Sequence, residues 1–422
     1  MSKIFIVIVL FAPALAMAEI GSNPNSVFEA TTENNVFIGV RAAGMGGAQI
    51  AAAEDGSALW YNPALLTRVR RIELSGALSH QRFFNETTFD LPVPVSTNSR
   101  QVNNTRLASL WAVFPIPTDR GALSLAFSAN RVKNFDRIFR YESQTSWWEN
   151  HSGDGFGGGE DDIGGLWAYS FGGGIEVSRK ASVGLSLDIF DGSDNYAQLE
   201  DSIAGAAEFS YRSNLEDNYS GYSGKLGLAF SAGPYLHLGS VVRFPAIITV
   251  EQNFDERTDI NGHVESDFST GRYRYLMPFS FGAGAAFFYR QLLVTADLNY
   301  TDFTQLEYKS GLDFATANED VKRYYRDVAS ISLGAEYSIP DWGLSLRAGY
   351  NHDPIPFKYH ATSKEPNTFT GGVSYLIDRT LKLDLAVNFS KWTAQDPNFK
   401  EGAGTIEKYR AQRFYLGVSY RY

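Results

Sequence analysis

The sequence predicts an all-β chain, a closed transmembrane antiparallel β-barrel of about fourteen strands. Three observations predict it. Apolar and polar residues alternate with a period of two in segment after segment. The connections between these segments alternate short and long, as in barrels with tight turns at one rim and loops at the other. The final segment alternates too, and it closes on an aromatic residue, Tyr422.

Composition agrees with this class. In 422 residues there are 23 Tyr, 30 Phe and 39 Gly, only 20% are charged, and Cys is absent. Aromatic enrichment with few charges suits strands better than helices. Past the N-terminus no apolar run approaches the ~20 residues of a membrane-spanning helix. Mean hydropathy is slightly negative (−0.21), which a barrel allows because inward polar residues offset the outward apolar ones. A net charge of −10 argues against nucleic acid as a partner. Without Cys there is neither a disulfide framework nor a thiolate metal site.

The chain opens with an export signal over residues 1–18. Lys3 supplies the positive start, Ile4 to Leu15 is a short apolar run, and Ala16-Met17-Ala18 is a small-residue cleavage site that leaves Glu19 first. Export and the aromatic chain end together place the protein in the outer membrane of a Gram-negative bacterium.

Residues 19–70 precede the barrel. They contain Arg41-Ala42-Ala43-Gly44-Met45-Gly46-Gly47 and then Asn62-Pro63-Ala64. A barrel of this size has a lumen that wall side chains do not fill. A compact plug rich in Gly and Ala is one solution; a pair of extra strands or a tail is the other.

The barrel occupies residues 71–422. Strands are expected near 71–84, 105–115, 120–133, 166–178, 181–191, 222–233, 235–250, 273–289, 292–308, 328–338, 343–352, 368–377, 380–394 and 410–422. The clearest case places Leu381, Leu383, Leu385, Val387 and Phe389 on one face, with Lys382, Asp384, Asn388 and Ser390 on the other. Short turns fall at 178–180, 233–234, 290–291, 340–342 and 378–379. Long loops are expected over 85–104, 134–165, 192–221, 251–272, 309–327, 353–367 and 395–409. With an even strand number both termini lie at the short-turn rim, the periplasmic side.

Several stretches resemble the FadL-type family of long-chain fatty acid and hydrocarbon transporters. The pre-barrel segment with Gly46, Gly47 and Asn62-Pro63-Ala64 is similar to that family's N-terminal hatch. Met277 to Gly282, Ala296 to Phe303, Leu346 to Tyr350 followed by Asp353-Pro354-Ile355-Pro356, and Leu381 to Val387 are similar to its later strands. The resemblance implies a fourteen-stranded barrel plugged by the hatch. It implies loop capture of a hydrophobic small molecule, an inner binding site, and lateral release into outer-membrane lipid by way of a kinked third strand. The alternative within the same fold is a component or shuttle of a protein secretion system. One departure is visible: the stretch Ser128 to Lys133 lacks the glycine that the family has near that kink. A β-bulge bends a strand without glycine.

Strand parity turns Asp188, Arg243, Asp297, Arg347, Lys382, Asp384, Arg413 and Arg421 to the lumen. Arg243 and Arg347 are candidate partners for a fatty acid carboxylate; ion pairing with lumenal Asp or with the plug is the alternative role. Trp147, Trp148, Phe156 and Phe314 are candidates for an apolar capture groove in the loops; the two Trp also suit an interfacial girdle. The acidic, Gly-rich stretch 153–165 has no repeated metal-loop spacing and reads as a solvated loop, with no metal. None of the six His residues sits in a nucleophile or metal motif, and G-x-S-x-G is absent. No enzyme activity and no cofactor is expected. The chain is expected to act as a monomer.

Overall fold

The computed structural model describes residues 36–90, 96–97, 100–143, 154–311, 314–358, 364–395 and 404–422. The export signal lies outside the described residues. Nineteen paired segments join in one antiparallel sheet that closes on itself. Five of them continue or brace a neighbouring strand, which leaves fourteen barrel strands. β1 (Glu73–Asp90) and β2 (Arg100–Ile116) are followed by β3 (Leu123–Asn134, resuming as Arg137–Glu142). Next come β4 (Gly155–Ser178), β5 (Ala181–Ala204) and β6 (Ala207–Ser231). Three two-piece strands follow: β7 (Leu236–Arg243 and Ile247–Ile260), β8 (His263–Leu276 and Ser280–Tyr289) and β9 (Leu292–Asp302 and Glu307–Ser310). The set ends with β10 (Asp327–Ile339), β11 (Leu344–His352), β12 (Lys364–Leu376), β13 (Leu381–Gln395) and β14 (Gly404–Arg421). β14 pairs back onto β1, from Glu73↔Arg421 to Asp90↔Gly404.

Parity holds around the wall. Leu74, Phe127, Leu187, Leu298, Leu385 and Leu416 face outward and are exposed, while Asp188, Asp297, Arg347, Asp384 and Arg413 face inward and are buried. At the short-turn rim Tyr235, Tyr289, Trp342, Tyr375 and Tyr422 are exposed, an interfacial aromatic belt.

The structure departs from the sequence-based expectation in strand length. The stretches 134–165, 192–221 and 251–272, expected as loops, are largely strand: β4, β5 and β6 run 24, 24 and 25 residues. At ~3.3 Å per residue such strands reach about 80 Å, far beyond the ~10 residues that cross a bilayer. Above the membrane neither face of the sheet meets lipid, so the apolar face that marks a strand fades there. Conversely, expected strands 235–250 and 273–289 are each interrupted, at Pro245 and Pro278, where the missing N–H breaks the ladder. The stretch 309–327 holds a helix, α3 below.

Residues 36–69 lie inside the barrel. Two short helices, α1 (Val40–Gly44) and α2 (Ala58–Tyr61), and a 3₁₀ turn, Pro63–Arg68, are almost wholly buried. A third helix, α3 (Phe314–Tyr324), sits beyond β9 at the far rim and buries Ala317 and Val321.

Candidate functional site

The lumenal segment is held at two levels, and a third level of the site lies in the wall above them. The lowest is the 3₁₀ turn. Asn62 caps it, accepting from Ala64 N at 3.2 Å, and Pro63 occupies the first position, where its fixed φ fits and no N–H is missed. The Asn62 amide also donates to Ile50 O at 2.8 Å and to Leu228 O on β6 at 3.0 Å. The wall lets the segment this close because inward positions are glycine. A Cβ on Gly184 would strike Pro63, one on Gly227 would strike the Asn62 amide, and one on Gly239 would strike the Ile50 carbonyl. Gly46 and Gly47 have φ of 62° and 79°, a left-handed turn that side chains resist. Gly46 N donates to Thr370 Oγ1 at 2.9 Å.

The second level is ionic. Arg41 grips Glu336 of β10 at 2.9 Å, and Arg347 of β11 shares that carboxylate at 2.5 Å. Arg347 reaches Asp384 at 2.8 Å and Ser374 Oγ at 3.0 Å, and Lys382 joins Asp384 at 3.1 Å. Burial alone weakens a cation's charge, but Glu336, Glu54 and Asp55 around it hold the Arg41 guanidinium more firmly protonated than usual. Burial likewise opposes ionisation of Asp55, yet Lys382, Arg41 and the Ser57 hydroxyl overcome it and keep that carboxyl below the usual aspartate range. Glu73 at the foot of β1 accepts from Gly56 N at 2.9 Å and from the Trp111 indole at 2.8 Å, and pairs with Arg421 at 2.6 Å.

Above this floor lies a packed aromatic cluster, termed the chamber for its place in the lumen. Tyr219 of β6, Tyr273 and Tyr275 of β8, Tyr308 of β9, and Trp392 and Tyr409 from the far side form one buried cluster. Ring centroids stand 6.0 Å apart for Tyr273–Tyr308 and 5.1 Å for Trp392–Tyr409, within the range of favourable aromatic pairing. Tyr325 and Phe357, 4.7 Å apart, close it beside α3. The Tyr308 hydroxyl and the Trp392 indole N–H are buried without a hydrogen-bond partner among the described residues.

The third level is the wall of β3. Its pairing with β4 slips between Arg131 and Lys133, and the strand breaks at Phe135-Asp136. Phe135 leaves the wall and packs in the chamber, 5.5 Å from Tyr219. Asn134 donates to Gln81 of β1 at 3.0 Å. Arg106 of β2 clamps Asp136 through both nitrogens, at 2.7 and 2.8 Å. The β2–β3 ladder therefore ends at Ser109↔Asn130. Higher residues of β2, from Leu107 to Arg100, pair only with β1. A two-residue strand, Ser96–Thr97, braces Arg137–Glu142 from above. The outcome is a gap in the β2–β3 hydrogen-bond ladder, made by a bulge and an inward bend and needing no glycine.

The sequence-predicted residues fall in different places. Asn62, Pro63, Ala64, Gly46 and Gly47 meet in the lumenal segment. Arg347 is fully engaged in the ionic lock. Arg243 donates to Asn299 at 3.0 Å and makes no ion pair among the described residues. Phe156 is half-buried near the start of β4, bonded through its backbone to Ser143, and Phe314 is exposed at the start of α3. Trp147 and Trp148 lie outside the described residues. The chamber tyrosines and the Arg106–Asp136 clamp went unseen in the sequence. The run Arg272-Tyr273-Arg274-Tyr275, with Tyr on the inward parity, was the available signal for the chamber.

Comparison with known proteins places this geometry. The profile of the family described as "Outer membrane protein transport protein (OMPP1/FadL/TodX)" matches residues 35–422. The chain is similar to a Pseudomonas aeruginosa FadL homologue, at 14% identity over 92% of this chain and 99% of that one, TM-score 0.69. It is also similar to the P. putida toluene transporter TodX, at 16% identity over 92% and 99%, TM-score 0.63. A third is the Ralstonia pickettii toluene transporter TbuX, at 17% identity over 92% and 98%, TM-score 0.60. No curated protein sequence matches the chain.

Proposed function

The chain belongs to the outer membrane transport protein family (OMPP1/FadL/TodX), and on that premise we propose that it takes up hydrophobic small molecules passively, with long-chain fatty acids as a cargo beside hydrocarbons. It is a Gram-negative outer-membrane β-barrel, and its family consists of transport proteins rather than enzymes.

One observation carries the reading. A buried aromatic cluster reaches the break in the β2–β3 ladder through Phe135, and the break starts at the height where outward residues are still apolar: Leu78, Leu107 and Leu110. A ligand released there enters lipid directly. Below the chamber the ionic lock and the glycine-seated segment stand across a straight path to the periplasm, so the described part of the 19–70 segment, from residue 36, acts as a hatch. Aromatic rings hold an alkyl chain or a benzene ring by contact area, without a directional demand. Phe156 and Phe314, with Trp147 and Trp148, are proposed for loop capture. For an acid, Arg243 is the proposed carboxylate partner, because its guanidinium has donors that Asn299 alone does not use. Arg347, proposed from sequence for the same role, has its donors committed to Glu336, Asp384 and Ser374 and suits an anchor better.

The relatives named as toluene transporters support the hydrocarbon side of this reading. Uptake of labelled oleate and labelled toluene, side by side in cells lacking such channels, tests it. Import of toluene without oleate would restrict the cargo to hydrocarbons. Import of neither would sink the proposal.

A further inference from the structure

The outer surface of the barrel carries a concavity of about 940 Å³ across β14, β1, β2, β3, β4 and β5. Its floor is made of small outward residues: Gly76 on β1, Ala112 on β2 and Ala129 on β3. Its walls are large and apolar: Leu74, Leu110, Phe127, Phe171, Leu187 and Ile189, each exposed. The serines that contribute backbone to it turn their side chains elsewhere, Ser170 to the lumenal Asp188 at 2.5 Å and Ser75 to Ser419 at 2.9 Å. The groove thus makes almost no hydrogen-bonding demand on an occupant. Its volume lies in the range of ligand pockets, roughly 300–1,000 Å³.

Its position singles out the occupant. Ala129 pairs with Leu110 one rung below Ser109↔Asn130, the last rung of the β2–β3 ladder. One rung is roughly 3.3 Å of strand, so the top of the groove touches the bottom of the gap. The edge of the gap is polar, with Asn130, Arg131 and Arg106. An apolar molecule leaving it gains by moving at once onto an apolar surface shaped to hold it.

We propose that this groove on the lipid-facing wall is a second ligand site, which receives the hydrophobic ligand as it leaves the gap between β2 and β3 and passes it to the bilayer. The inference rests on lateral release, and the test separates the two. The full chain, in phospholipid nanodiscs, is irradiated with a diazirine-bearing palmitate analogue and, separately, with a diazirine-bearing alkylbenzene, and the labelled residues are mapped. The expected result is labelling of the chamber tyrosines, of Ala108 at the gap, and of Leu110, Phe127 and Phe171 in the groove by at least one probe. The double variant Ala112→Leu/Ala129→Leu fills the groove from the lipid side with a residue already common on that wall. It is expected to lose groove labelling and slow uptake several-fold while leaving chamber labelling unchanged. Labelling of chamber and gap without the groove by either probe overturns the groove and spares lateral release. Labelling of chamber and lumenal segment without the gap overturns both. If a diazirine phospholipid labels the groove and excess palmitate or alkylbenzene does not displace it, the groove belongs to bilayer lipid and the proposal fails.

Discussion

Asn62→Ala is the sharpest perturbation of the lumenal segment. The side chain accepts from Ala64 N and donates to Ile50 O and Leu228 O, in a fully buried setting. A lost cap and two lost hydrogen bonds, at about 0.5–1.5 kcal/mol each net, total roughly 1.5–4.5 kcal/mol. All three are made only while the segment is folded in the lumen, so the loss falls on its opening equilibrium. At about 1.4 kcal/mol per factor of ten, the open population rises roughly 10- to 1,500-fold. The chain has no native Cys, which makes a single reporter clean. Ala53 is fully buried against Leu59 and Leu65. In an Ala53→Cys background, a water-soluble maleimide should label the Asn62→Ala variant faster by that factor, with the heat-modifiable mobility of the barrel unchanged. Equal labelling rates would refute the view that Asn62 fastens this segment.

Three further outcomes follow from the same contacts. Arg243→Ala should weaken uptake of oleate and spare toluene, whereas Arg347→Ala should reduce both and lower barrel stability by about 3–5 kcal/mol, because Glu336 and Asp384 are left buried and underpaired; paired uptake assays and denaturant melts decide. Arg106→Ala strands Asp136, which is 1% exposed, and should relax the inward bend and slow uptake of every ligand, with Arg106→Lys restoring part of it because one ammonium replaces a two-nitrogen clamp; unchanged uptake in the Ala variant would contradict the clamp. The depressed pKa of Asp55 fixes a pH response. Its contribution to docking is complete above the unfolded aspartate value near ~4 and is lost as pH falls through the lower folded value. The Asp55 share of maleimide access at Ala53→Cys, read as the difference from an Asp55→Asn variant and corrected for intrinsic thiol reactivity, should therefore stay flat from about pH 8 to 5 and change only in stronger acid.

The parts of this fold that meet lipid were the parts legible in the sequence. Where a strand crosses the bilayer, one face must be apolar and the other polar, so Leu385 and Asp384 declare their sides without help from the rest of the chain. The inward burial of Asp188, Asp297 and Arg413 follows from the same rule. Above the membrane the rule lapses. Asn195 to Ala204 of β5 and Asn253 to Ile260 of β7 carry polar residues on both faces, and only the closed ladder shows them to be strands. The resemblance implied the kink, but what makes it was hidden for a different reason. Its causes are a bulge beside Val132 and a clamp between residues 30 positions apart, and no local periodicity encodes either. Inward glycines such as Gly184 and Gly227 were a readable sign of close backbone approach, but what approaches them comes from more than a hundred residues away.

The most direct test of the account is uptake by cells lacking their own hydrophobic-compound channels and expressing either this chain or its Arg106→Ala variant at matched surface levels. The account predicts that the wild type imports labelled oleate and labelled toluene without an energy source beyond their own gradient, and that the variant is slower for both. No import of either ligand by a surface-exposed, heat-modifiable wild-type barrel would contradict it.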